Sequence, residues 1–194
     1  MTFEKRSDDM IVDHCLSDAR QVRSPNADVR PLGEISLVVL HSISLPPGHF
    51  GGDDIEALFT NRLDWEAHPF FRSIRGLRVS AHLLIRRDGS CIQFVPFDQR
   101  AWHAGRSLWR GRRALNDFTI GIELEGDGRA FTHAQYQYLA GVLTTLERHY
   151  PGIDARDTVT HEQVAPLRKV DPGPSFDHQY LSGLMAESRA HAGI

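Results

Sequence analysis

Apolar residues gather in short blocks, with turn-forming residues between them. Ile35-Ser36-Leu37-Val38-Val39-Leu40 is a near-continuous, β-branched run of strand length, which predicts a strand buried on both faces and ending at His41. Pro46, Pro47, Gly48, Gly51 and Gly52 interrupt regular structure, and Asp53-Asp54 then offers a start for a short helix over Ile55 to Phe59. The β-rich runs Val79 to Arg86 and Cys91 to Val95 flank Arg87-Asp88-Gly89-Ser90, and the Asp-Gly pair predicts a hairpin because its turn needs residues that tolerate positive φ. Phe118 to Leu124 reads as another strand. Thr132 and Gln135 form a capping box, opening a helix that places Tyr136, Leu139, Leu143, Leu146 and Tyr150 on one face. A short strand over Thr158 to Thr160, a proline-broken loop and a helix from Phe176 to Arg189 complete the pattern. Strands and helices interleave without repeats, which predicts a single-domain α/β fold: a mixed β-sheet flanked by helices over residues 31–190, behind a polar lead-in over 1–30.

Composition removes several functional classes. The 194 residues carry 22 basic and 25 acidic side chains, a net charge of −3, so no general attraction to nucleic acid or to an anionic membrane is expected. No apolar run approaches the ~18 residues needed to span a bilayer. Glu4, Lys5, Arg6, Asp8 and Asp9 occupy the stretch where a signal peptide would carry its apolar segment, and Cys15 and Cys91 are too few for a disulfide framework. These features point to a cytoplasmic protein. Lys5 and Lys169 are the only lysines, so Lys169 stands out in an arginine-rich chain.

Candidate chemistry sits at strand ends. His41 ends the first strand, Glu123 lies within another, and His161 follows the short strand at Thr158 to Thr160. Ionisable residues at equivalent ends of neighbouring strands converge on one crevice in an α/β sheet. Glu125 shares a face with Glu123, but the tighter apolar flanks favour Glu123. From His161 to Asp171 the chain presents an imidazole, the ammonium of Lys169 and a carboxylate, and Pro172-Gly173-Pro174 follows. Zn²⁺ accepts His nitrogen and Asp oxygen, and a catalytic site takes three protein ligands. His161 and Asp171 supply two, and His41 is the natural third.

The chain resembles the zinc-dependent N-acetylmuramoyl-L-alanine amidases, most closely the cytosolic branch acting on 1,6-anhydro-muropeptides. The resemblance runs from about Val22 to Phe176 and is carried by Val39 to Gly48, Ala67 to Phe71, Leu77 to His82, Arg100 to Gly105, Asn116-Asp117-Phe118, Gly121 to Gly126 and Arg168 to Pro174. It implies the peptidoglycan-recognition type of mixed sheet, Zn²⁺ on His41, His161 and Asp171, and catalytic roles for Glu123 and Lys169. It also implies substrate contacts from Arg78, Ala101 and Trp102. Three departures bear on the substrate: Ser42 replaces the usual Asn, His161-Glu162-Gln163 replaces His-Cys-Asp, and Ala114 stands where the family often has Arg, leaving Arg112 or Arg113 as substitutes. Arg106, Arg110, Arg112 and Arg113 could clamp peptide carboxylates.

The expected reaction is hydrolysis of the amide between the lactyl group of anhydro-muramic acid and L-Ala during peptidoglycan recycling, by a monomer. A non-catalytic peptidoglycan-recognition module and an amidase acting on intact cell-wall polymer are the alternatives. His82 and His103 match the family without being its zinc ligands, and both are expected to play supporting roles.

Overall fold

The computed structural model describes residues 10–191, so the charged stretch from Glu4 to Asp9 lies outside the described residues. The lead-in forms four short strands: β1 (Ile11–Val12), β2 (Cys15–Leu16), β3 (Arg20–Gln21) and β4 (Ala27–Val29). The first long strand, β5 (Leu37–Ile43), precedes two short helices, α1 (Asp54–Phe59) and α2 (Pro69–Ser73). The hairpin strands are β6 (Leu83–Ile85) and β7 (Cys91–Gln93), followed by the small strands β8 (Gln99–Ala101), β9 (Leu108–Trp109) and β10 (Arg112–Arg113). The second long strand is β11 (Thr119–Glu125), and α3 (His133–His149), β12 (Val159–Thr160), α4 (His161–Val164) and α5 (His178–His191) close the chain.

Six strands make the central sheet in the order β12-β5-β11-β6-β7-β3. β12, β5, β11 and β6 run parallel, β7 is antiparallel to β6, and β3 is parallel to β7, so the sheet is mixed as expected. Alternation within β5 serves both faces: Val38 and Leu40 pack in the cluster beneath α3 and α5, while Leu37 and Val39 join Leu115, Phe118 and Val159 on the other side. The expected capping box is present at Thr132 and Gln135, and the expected face of α3 is buried. Gly89 takes φ 86°, as the hairpin turn requires.

Several boundaries differ from expectation: the Val79 to Arg86 run is a strand only over Leu83–Ile85, for example, and two further differences bear on the site and the last helix. His41 does not end β5, because the ladder with β11 continues through Ser42 and Ile43, opposite Leu124 and Glu125. The last helix begins at His178 rather than Phe176: Phe176 is buried against Phe131 and Tyr136, and Asp177 Oδ1 accepts the Tyr180 N–H at 2.8 Å. No helix among the described residues is long and apolar enough to cross a membrane.

Candidate active site

The central pair of strands sets the site. Parallel register places His41 of β5 directly opposite Glu123 of β11, so an imidazole and a carboxylate lie side by side at the carboxyl ends of two interior strands. His161 enters from the next strand over. It opens α4, which Thr160 caps by accepting the Gln163 N–H while the Gln163 side chain returns to the Thr160 N–H. The chain then loops back, and the Glu162 N–H donates to Asp171 O at 3.0 Å, bringing the Asp171 side chain beside His161.

These three residues form a triangle of donor atoms. Nδ1 of His41 lies 2.8 Å from Nδ1 of His161, which is 3.0 Å from Oδ2 of Asp171; the third side, His41 to Asp171, is 3.4 Å. Nε2 of His161 donates to Ala104 O at 3.2 Å, and a carbonyl can only accept, so in the neutral ring Nδ1 is bare and faces the triangle. Burial pushes His41 down to about 4, which keeps it in the neutral form that ligates metals. Burial opposes the charge on Asp171, yet with no metal between them a proton on the facing nitrogen of His161 or His41 holds its carboxyl well below the ordinary range. Ligands about 2.0–2.1 Å from a tetrahedral Zn²⁺ lie about 3.3 Å apart, so the triangle and its N, N, O chemistry fit the ion. Among the described residues this is the cluster able to hold a metal.

A cleft of about 400 Å³ opens over the triangle. Glu123 and Lys169 line it with Ser42, Arg78 and Trp102. Oε2 of Glu123 is closed to solvent and has no hydrogen-bond partner. Burial, and secondarily the Asp171 charge, hold its carboxyl well above the ordinary range. A carboxyl so placed accepts a proton readily, as a general base near neutrality must. Glu125, the other candidate on β11, is taken up by Arg86 at 2.8 Å and by the N–H groups of Gly51 and Arg87.

Other expected contacts stand elsewhere. Ala101 is fully buried in β8 opposite Ala27, and Arg113 is exposed in β10; neither lines the cleft. Arg110 pairs with Asp157 and Arg112 with Glu34, so two of the four loop arginines are engaged away from it. Arg168 and Asn116 line the cleft although no role was read for either in the sequence. Asn116 Oδ1 accepts the N–H of Ala104 at 2.8 Å and thereby holds the carbonyl that His161 uses; its only sequence signal is the Asn116-Asp117 pair within the resemblance. His82 is structural: its Nδ1 accepts the Gly121 N–H at 3.0 Å, and its Nε2 lies 3.0 Å from Gln99 O.

Comparison with known proteins identifies the family. The chain is 58% identical over 175 residues to the 1,6-anhydro-N-acetylmuramyl-L-alanine amidase AmpD of Salmonella typhimurium, covering 89% of this chain and 93% of that one. Against the Escherichia coli protein of the same name it is 58% identical over 164 residues, 84% of this chain and 89% of the other. The crystal structure of an AmpD superposes with a TM-score of 0.87 at 55% identity, covering 90% of this chain and 98% of that one. The Escherichia coli amidase AmiD, solved with anhydro-N-acetylmuramic acid-L-Ala-D-γ-Glu-L-Lys, gives a TM-score of 0.59 at 29% identity over 84% of this chain and 60% of that one. The sequence pattern of the N-acetylmuramoyl-L-alanine amidases matches residues 31–174, most of the sheet and all of the donor triangle, and the chain belongs to that family.

Proposed function

We propose that this enzyme hydrolyses the amide between the lactyl group of 1,6-anhydro-N-acetylmuramic acid and L-Ala in muropeptides, as part of peptidoglycan recycling. The observation that carries the reading is the pairing, across one strand register, of a His-His-Asp triangle whose imidazoles are buried with a carboxylate whose Oε2 is buried and unpartnered. Residues 31–190 form the amidase unit in this reading, behind the lead-in over 1–30.

His41, His161 and Asp171 would hold Zn²⁺, leaving one side of the triangle open to the cleft. When bound, the ion supplies a Lewis acid for the scissile carbonyl and lowers the pKa of water. Glu123 takes a proton from the attacking water and delivers it to the amide nitrogen, which leaves as the amine of L-Ala when the C–N bond breaks. Negative charge gathers on the carbonyl oxygen as the new C–O bond forms, and the ammonium of Lys169 offsets it in a cleft where water screens poorly. Trp102 offers an indole face to sugar or peptide, and Arg78 and Ser42 offer donors to the substrate. Two free thiols, Cys15 and Cys91, suit a reducing cytoplasm.

The test is direct. The zinc-loaded protein is incubated separately with anhydro-muropeptide, non-anhydro muropeptide, nucleotide-linked precursor and intact sacculi, and the products are identified by mass. Release of peptide beginning with L-Ala from the anhydro substrate, at a kcat/KM at least ~10²-fold above that for the nucleotide precursor, is expected if shape decides which amide reaches near-attack geometry. Comparable cleavage of both overturns the recycling assignment, and preferential cleavage of sacculi favours the wall-polymer reading.

A further inference from the structure

Thr119, Gly121 and Glu123 alternate along β11 and so share one face of the strand. The third is the carboxylate of the cleft. The first two surround an imidazole that the proposed reaction does not use. Nδ1 of His103 lies 2.9 Å from Nε2 of His41, and Nε2 of His103 lies 3.1 Å from Oγ1 of Thr119. The His103 and His41 rings meet edge to face, with planes at 88°. The space for His103 exists only because residue 121 lacks a side chain: a Cβ there would fall 2.4 Å from Cγ of the ring.

We propose that His103 is a positioning residue of the metal site, holding His41 in the tautomer whose Nδ1 is bare. The inference rests on the reading of His41, His161 and Asp171 as the ligands. With Nδ1 of His41 given to a metal, the neutral ring carries its proton on Nε2. The partner of that N–H is Nδ1 of His103, which must then be bare. The proton of His103 therefore sits on its own Nε2 and is donated to Thr119 Oγ1. The polarity of the chain is single, from His41 through His103 to Thr119. Metal-ligating histidines generally direct their second nitrogen to an acceptor that orients the ring. His161 uses the Ala104 carbonyl for this, and His41 uses the residue immediately before it, so residues 103 and 104 orient both imidazole ligands. Asn116 Oδ1 accepts the N–H groups of both, at 3.3 and 2.8 Å, fixing that pair of residues as a unit.

The experiment measures zinc affinity by competition with a chromophoric chelator in wild type, His103→Leu and His103→Asn. Asn carries an acceptor close to the position of Nδ1, whereas Leu fills the space with none. His103→Leu should weaken zinc binding by about 10–100-fold, and His103→Asn should recover most of the loss. Nitrogen-15 long-range correlation spectra of the zinc-loaded wild type should show the proton on Nε2 in both His41 and His103. Affinity of His103→Leu equal to wild type, or a His103 ring protonated on Nδ1 in the loaded protein, overturns the proposal while leaving the ligand set intact. Failure of wild type to bind zinc stoichiometrically overturns the ligand reading, and this inference with it. Should His103→Leu not fold, Thr119→Val, which removes the terminal acceptor at nearly constant volume, carries the test: unchanged affinity and an unchanged His103 tautomer would overturn the proposal.

Discussion

Gly121→Ala is the smallest change that probes how the site is packed. The added methyl would lie 2.4 Å from Cγ, 2.5 Å from Nδ1 and 2.6 Å from Cδ2 of His103. Carbon atoms rest about 3.5–4.0 Å apart, so the ring must retreat by about 1 Å. It cannot do so freely: its two nitrogens are tied to His41 and Thr119, and strand 119–125 is hydrogen-bonded on both sides. Overpacking costs about 1–3 kcal/mol, and a pinned ring against an interior strand belongs at the upper end. Replacing a strand glycine returns about 0.5–1 kcal/mol of backbone entropy, leaving a net loss of about 2 kcal/mol. With a urea m-value near 2 kcal/mol/M, the midpoint should fall by about 1 M. The assay is equilibrium urea unfolding of metal-free protein, so that metal binding does not enter. Gly141→Ala is the control: that glycine lies inside helix 133–149 with no atom within 4 Å of the new Cβ, and the same substitution there should stabilise by up to ~1 kcal/mol. A Gly121→Ala midpoint at or above wild type would refute the packing argument.

Other consequences can be measured on the same protein. Glu123→Gln should keep zinc bound and lower turnover by about 10²-fold or more, without lowering the urea midpoint, because it removes a charge whose Oε2 has no partner; near-normal turnover would transfer the base role elsewhere. Arg86→Ala leaves Glu125, only 1% exposed, without its guanidinium and should cost about 3–5 kcal/mol in urea unfolding, whereas replacing both residues with apolar ones should cost far less. Burial pushes the Cys91 thiol up to about 12, so at pH 8.5 a thiol reagent should label Cys15 first and Cys91 only on unfolding. Because that folded-state value is raised, the unfolded chain loses the proton first, and stability should decline as pH rises from about 9 towards 12; equal labelling rates for both thiols would contradict the burial.

The parts of the fold legible in the sequence are those that local chemistry specifies. The Asp88-Gly89 turn, the Thr132 capping box and the β-branched runs each carry their own instruction, and each appears where expected. The four small strands of the lead-in are two or three residues long; the first two pair only with each other, and the other two owe their order to partners far along the chain, such as Gln93 opposite Gln21. Helix 69–73 starts with Pro69 after His68, whose Nδ1 accepts the Phe70 N–H; an imidazole cap is not a signal that composition reveals. The extension of strand 37–43 past His41 likewise depends on its ladder with Glu123 to Glu125. The donor triangle was legible because His41, His161 and Asp171 bear types and placements that metal chemistry demands. His103 was not legible as a partner of His41, since the geometry joining them passes through a gap at Gly121, sixty-two positions being crossed between the two imidazoles.

Two of the proposed ligands come from the segment that follows strand 159–160 and one from the interior strand pair, and this division has a kinetic meaning. His41 and Glu123 face each other across the interior strands, where amide hydrogens are expected to exchange most slowly. His161 and Asp171 are joined by a ten-residue excursion, closed at its neck by the Glu162 to Asp171 hydrogen bond and carrying the fully exposed Leu167. Its exposed part, around Leu167, is expected to open at lower free energy than the sheet. Opening would withdraw both ligands at once while His41 and the carboxylate of Glu123 stay where the strands hold them. Exchange of a bound metal would then need an excursion of this segment alone, and the reclosed segment would meet the rest of the site already assembled.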